Sequence, residues 1–147
     1  MFKHILVPTD GSALSLRSAK KAVAFAGATG ARITAFFAGP PYTVQVYGDF
    51  VPPDFITPQE FDKQTRKAAD RHLAAIEALA GAAGVRCDRR YVTSDSPWEA
   101  IVKAARSNKC DLIFMASHGR RGLSGLLLGS ETQKVLTHTK VPVLVHR

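Results

Sequence analysis

Short apolar runs alternate with longer amphipathic stretches along this chain of 147 residues, and that alternation limits its fold more than any other feature. Such a pattern predicts strands joined by crossover helices in a parallel sheet. The order reads β-α-β-α-β-α-β-α-β, with strands over residues 3–8, 32–38, 85–93, 111–116 and 141–145. The length suits one domain with one core, residues 1–147. Asp111-Leu112-Ile113-Phe114-Met115-Ala116 is almost continuously apolar, as a central strand covered on both faces should be. Residues 85–93 instead alternate, with Val85, Cys87, Arg89, Tyr91 and Thr93 on one face, which predicts half-exposure. Pro142 cannot donate to a ladder, so the last strand is expected at an edge.

The helices announce their ends. Ser12 is placed to cap the first, which runs through Ala22, Val23, Phe25 and Ala26 to a stop at Gly30. Thr57-Pro58-Gln59-Glu60 supplies an N-cap, a proline at the first helical position and a capping-box glutamate. Phe61, Ala68, Ala69, His72, Leu73, Ile76, Leu79 and Ala83 follow at helical spacing toward Gly84. Ser96-Pro97-Trp98-Glu99 repeats the signature before a helix through Ile101, Ala104 and Ala105, with Trp98 read as a packing residue. The last helix is expected over Ser130 to Thr139. Gly39 to Ile56, rich in proline and aromatic residues, is long for a connection and reads either as a lid over a site or as a surface insertion. Its tyrosines could equally stack on a base or cover core at the sheet edge.

Composition narrows the function classes. Hydrophobic residues make up 46% and charged residues 22%, ordinary globular usage that speaks against disorder and repeat arrays. The longest apolar runs, such as Ala22 to Ala28, fall far short of the roughly 20 residues a bilayer requires, so no transmembrane helix or membrane partner is expected. Met-Phe-Lys-His-Ile-Leu-Val-Pro carries no mark of a secretory signal, which predicts a cytoplasmic protein. Cys87 and Cys110 lack metal or redox spacing and read as small core thiols. A formal charge of +8 favours contact with phosphates. The cations are scattered and have no interleaved aromatics, so a solvated basic surface is expected in preference to nucleic-acid binding.

Ligands of open parallel sheets bind beyond the carboxyl ends of the strands, where crossovers diverge. Three segments converge there: Pro8-Thr9-Asp10-Gly11-Ser12, whose Asp10 can accept from ribose hydroxyls, then Phe37-Ala38-Gly39, then Ala116-Ser117-His118-Gly119-Arg120-Arg121-Gly122. The third continues to Gly129-Ser130-Glu131-Thr132 at the start of the last helix. Glycines let backbone approach phosphate oxygens closely, and a helix N-terminus favours an anion, with the Ser130 hydroxyl as a further donor. The same glycines could serve only to turn tight corners. His118 has no cysteine or second histidine at ligand spacing, so a loop hydrogen bond is expected of it rather than a metal. No serine has a nucleophile-elbow context and no G-x4-G-K-[ST] loop is present, so neither a hydrolase triad nor fast phosphoryl transfer is expected.

These segments resemble the universal stress proteins along the whole chain: a start of Ile5-Leu6-Val7-Pro8-Thr9-Asp10-Gly11-Ser12, a fourth strand ending Met115-Ala116-Ser117-His118-Gly119, and a finish of Gly129-Ser130…Lys140-Val141-Pro142-Val143-Leu144-Val145. Of the nucleotide-binding motif G-x2-G-x9-G-[ST], the second glycine is Gly119 and the end is Gly129-Ser130, while Ala116 replaces the first glycine. The resemblance implies an α/β fold with a five-stranded parallel sheet flanked by four helices, an adenine-nucleotide alpha-hydrolase-like, Rossmann-like three-layer sandwich. It implies that Asp10 contacts the ribose, that Pro8 and Thr9 line the adenine pocket, that the Phe37 main chain reads the adenine edge, and that Met115 packs nearby. Ala116 and Ser117 would belong to the same turn, and Gly119, Arg120, Gly129, Ser130 and Glu131 would surround the phosphates through their amides. The function so implied is a nucleotide-responsive stress-response regulator that binds ATP or AMP, admits Mg or Mn at the phosphates, and forms a homodimer through residues 141–145. Two other readings stand beside it. One is a structural or interaction dimer of the same fold that Ala116 has deprived of nucleotide. The other is a slow ATPase, for which Asp10 and Glu131 are the nearest acids but neither is spaced to activate water.

Overall fold

The computed structural model describes residues 1–43, 56–119 and 128–147. Strands β1 (His4–Pro8), β2 (Arg32–Gly39), β3 (Cys87–Thr93), β4 (Leu112–Ala116) and β5 (Val143–His146) alternate with helices α1 (Ala13–Thr29), α2 (Pro58–Ala82), α3 (Pro97–Ser107) and α4 (Ser130–His138). All neighbouring strands pair in parallel, in the order β3-β2-β1-β4-β5. The third strand begins two residues later than the alternation suggested, and the last is shifted toward the C-terminus.

Strand parity divides the core into two layers. Ile5, Val7, Ile33, Ala35, Leu112 and Phe114 point to the side covered by α1, through Ala19, Ala22, Val23 and Ala26, and by α2, through Leu73, Ile76 and Ala80. Leu6, Phe36, Ile113 and Met115 point to the other side, against Ile101, Ala104 and Ala105 of α3 and Val135 of α4. Because successive side chains of a strand face opposite ways, the apolar runs of β1, β2 and β4 feed both layers at once. The result is the three-layer α/β sandwich that the alternation of runs predicted.

Helix ends follow local chemistry in two cases and long-range chemistry in a third. Ser12 accepts from the Ser15 N–H, and Gly30 closes α1 at φ 69°, a left-handed conformation that glycine adopts without strain. Thr57 accepts from Glu60 N–H ahead of Pro58. At α3, Ser96 makes no side-chain cap, so the expected capping box there is open. The Glu131 carboxylate of α4 accepts from the Trp98 N–H at 2.8 Å instead.

The edge strands are β3 and β5. Pro142 presents only its carbonyl to the sheet, accepting from Ile113 N–H at 2.9 Å, which a proline can do without loss. At the opposite ends of the strands, the Asp111 carboxylate accepts from the Lys3 and His4 amides at 2.8 and 3.0 Å and ties β1 to the start of β4. The His4 ring is buried, with Nε2 2.7 Å from Thr34 Oγ1. Burial pushes the Cys110 thiol up to about 11, so it is a core group and not a nucleophile. Among the described residues no helix is long and apolar enough to cross a membrane.

Candidate functional site

From β1 the chain winds outward through β2 to β3, then returns past β1 to β4 and β5, so the winding reverses between β1 and β4. Adjacent crossovers leave the sheet in opposite directions there, which opens a crevice beyond the carboxyl ends of those two strands. The turn after β1 and the turn after β4 meet across it. A methyl group built on Gly119 would run into Asp10 Oδ2, so the aspartate carboxylate lies directly against the glycine backbone. Its other oxygen, Oδ1, accepts from Ser12 N–H at 2.9 Å, which fixes the side chain at the start of α1.

The second half of the crevice is the start of α4. Gly129 N–H donates to the Ser117 carbonyl at 2.8 Å, and Ser117 N–H donates to the His146 carbonyl at the same distance. A Cβ on Gly129 would stand 3.0 Å from His118 Cα and 3.3 Å from Ser117 O. With φ −62° and ψ 152° the backbone at Gly129 is ordinary, so glycine is required here for space alone. Thr132, buried on the first turn of α4, adds Oγ1 to the Ala116 carbonyl at 3.1 Å. Two turns, one strand end and one helix start are thereby held together. Unlike those of α1 and α2, the N-cap residue of α4, Gly129, gives the first-turn amides no side-chain acceptor. Those amides carry the positive end of the helix dipole.

Several expected site residues are placed differently from the sequence reading. Phe37 is the clearest. Ile33 N–H donates to Arg86 O and Ser94 N–H donates to Gly39 O, so the odd-numbered residues of β2 turn their main-chain groups toward β3. Thr9 N–H donates to Phe36 O, so the even-numbered residues face β1. The main-chain groups of Phe37 therefore lie in the β2–β3 ladder, and those reaching past the end of β1 belong to Ala38. The Phe37 ring stacks between His72 and Tyr91, at centroid distances of 6.0 and 6.3 Å. Sequence reading named Ala38 within the segment and did not single it out, although parity from the strand start would have found it.

Met115 is buried in the α3–α4 layer, one residue before the end of β4. Pro8 ends β1, while Thr9 is a turn residue whose Oγ1 lies 2.9 Å from Ser15 Oγ and accepts from Gly11 N–H at 3.1 Å. Ala116 closes β4 with its side chain buried. Ser117 is buried, and its hydroxyl meets His118 Nδ1 at 3.2 Å, a loop hydrogen bond of the kind expected for that histidine. Ser130 is exposed at the start of α4. The Glu131 carboxylate is directed away, onto Trp98 N–H and, at 3.5 Å, Lys134 Nζ. Arg120 and most of the Gly39–Ile56 segment lie outside the described residues.

The fold and the crevice define an open, doubly wound parallel α/β domain of the Rossmann-like type. The model of the universal stress protein family matches residues 1–147, and the chain belongs to that family. It is 34% identical over 148 residues to a universal stress protein encoded in the QAH/OAS sulfhydrylase 3' region of Thermus aquaticus, covering 100% of both chains. The solved structure of MJ0577, from Methanocaldococcus jannaschii, superposes with a TM-score of 0.81 at 28% identity, covering 99% of this chain and 95% of the other. A universal stress protein solved in complex with cAMP superposes at 0.71 with 26% identity, covering 99% and 97%.

Proposed function

We propose that the crevice at the ends of β1 and β4 binds an adenine nucleotide, ATP or AMP, and that this stress protein acts as a regulator whose occupied state is its signal. The observation that carries the reading is the start of α4. Its first-turn amides receive no side-chain cap from the N-cap residue, and Gly129 keeps the approach to them free of a Cβ. An anion is the natural complement of such a helix end. The cAMP complex of a relative 26% identical to this chain supports an adenine nucleotide as the source of that anion.

In this reading the amides of Gly119, Gly129, Ser130 and Glu131 surround the phosphates, with the Ser130 hydroxyl assisting. Asp10, already anchored by Ser12 N–H, receives the ribose hydroxyls. Ala38, rather than Phe37, offers its main chain to the edge of the base. Ala116 is compatible with binding because its methyl is buried, with its carbonyl held by Thr132. A Mg or Mn ion would be held through the nucleotide's own phosphates. The Glu131 carboxylate caps α3, so hydrolysis would lack a base from that side and be slow at most. Homodimerisation through residues 141–145 belongs to the same reading, since β5 is an unpaired edge.

The test is mass spectrometry of the small molecules released when protein purified without added nucleotide is denatured. Near-stoichiometric ATP, ADP or AMP is expected. Empty protein that also fails to bind ATP or AMP on titration would overturn the proposal in favour of a structural dimer.

A further inference from the structure

A groove of about 640 Å³ lies on the exposed side of α3 and the end of α4, lined among others by Trp98, Glu99, Val102, Lys103, Arg106 and His138. None of the residues gathered at the ends of β1 and β4 lines it, so it is separate from the nucleotide crevice. Trp98 forms its apolar wall, half-buried against the α3–α4 core and packed on the His138 ring at 4.4 Å between centroids. The tryptophan backbone is fixed as well, because its N–H is bound by Glu131. Lys103 and Arg106, on successive turns of α3, are exposed and form no ion pair with any described residue. Glu99 stands at the other end, about 10 Å from Arg106 by helical rise.

We propose that this groove docks a short acidic peptide segment of a partner protein. One aliphatic or aromatic side chain of the segment packs on Trp98 and Val102, and its carboxylates reach Lys103 and Arg106. The argument is one of complementarity. A rigid tryptophan beside an arginine is the pairing on which interface energy concentrates. Cations that no described residue pairs, set inside a groove, select the opposite charge, and a chain of net charge +8 steers an acidic partner toward itself. Glu99 adds polarity, disfavouring carboxylates at the start of α3. Because the backbone of the anchor is held before binding, little ordering is lost on docking.

Trp98 is the chain's single tryptophan, so its emission reads the groove directly. The test titrates the protein with the acetylated peptide Glu-Asp-Leu-Phe-Glu-Asp and with its counterpart Lys-Arg-Leu-Phe-Lys-Arg. A saturable change with the acidic peptide alone is expected, weakening with added salt. The Lys103→Glu/Arg106→Glu double variant should bind about tenfold more weakly. If that variant does not fold by circular dichroism, Arg106→Gln takes its place, with a loss of about threefold expected. No saturable change, or one that survives the charge variant or appears equally with the basic peptide, would overturn the proposal. So would ATP giving the same Lys103- and Arg106-dependent change, which would make the groove an anion site, or Trp98→Ala converting a dimer to monomer, which would assign it to a second copy.

Discussion

Gly129 is the crevice glycine packed against backbone, where a neighbour cannot simply swing aside. An alanine there must displace the His118 backbone, 3.0 Å away, and overpacking of this kind costs about 1–3 kcal/mol. Gly129→Ala should therefore lower the unfolding midpoint modestly and abolish nucleotide binding, whereas Ser130→Ala should weaken binding and leave stability unchanged. Calorimetry beside thermal unfolding separates the two. His4 makes a second prediction at this scale. Burial, reinforced by the Arg32 charge, holds its pKa below the ordinary value of 6.5. The folded state thus binds fewer protons than the unfolded state, and stability falls as pH drops below about 6.5, levelling off once the folded-state pKa is passed. Asp111 belongs to a lower window. Burial alone would raise its pKa, but the His4 and Lys3 amides bring it below 3.8, so its contribution is lost only in stronger acid. Urea midpoints measured from pH 7 to pH 5 should decline in the wild type and flatten in His4→Gln.

At the scale of elements, the sequence disclosed what neighbours in the chain decide. Ser12 and Thr57 cap helices three residues away, and both caps are present as read. The cap of α3 was illegible because its acceptor, Glu131, is 33 residues distant and belongs to a different helix. The same distance hid the role of Glu131, which was read as a phosphate neighbour and supports Trp98 with its carboxylate. Removing that acceptor leaves a helix N–H unpaired, at a cost of roughly 0.5–2 kcal/mol, the range for a lost N-cap. Glu131→Ala should lower the unfolding midpoint and alter Trp98 emission, and Glu131→Gln, whose amide oxygen can still accept, should restore most of both. An unchanged midpoint in the alanine variant would show that the bond contributes nothing in solution.

For the whole molecule, apolar runs and helical spacing were enough to foresee the parallel three-layer sandwich, and Pro142 was enough to place the last strand at an edge. Strand order does not follow from hydropathy. The order β3-β2-β1-β4-β5 was not read from the sequence. The convergence of the Asp10 and Gly119 segments was, through the rule that ligands of parallel sheets bind beyond the carboxyl ends of the strands, and the contact of these two residues 109 positions apart is a product of the reversal between β1 and β4. The proposed homodimer would rest on the side of β5 that faces away from β4. Pro142 O and His146 O both accept from β4, so even-numbered residues face inward and the N–H of Val145 faces outward. Proline at 145 would remove an outward donor without breaking the ladder to β4. On the proposed assembly, the wild type should sediment as a dimer and Val145→Pro as a folded monomer.

The central claim is that this fold, in this chain, binds an adenine nucleotide despite Ala116, and isothermal titration with ATP or AMP in the presence of magnesium tests it most directly. The account predicts saturable heat corresponding to one nucleotide per chain, lost in Gly129→Ala. Wild-type protein that gives neither heat nor a thermal shift at millimolar nucleotide would contradict it.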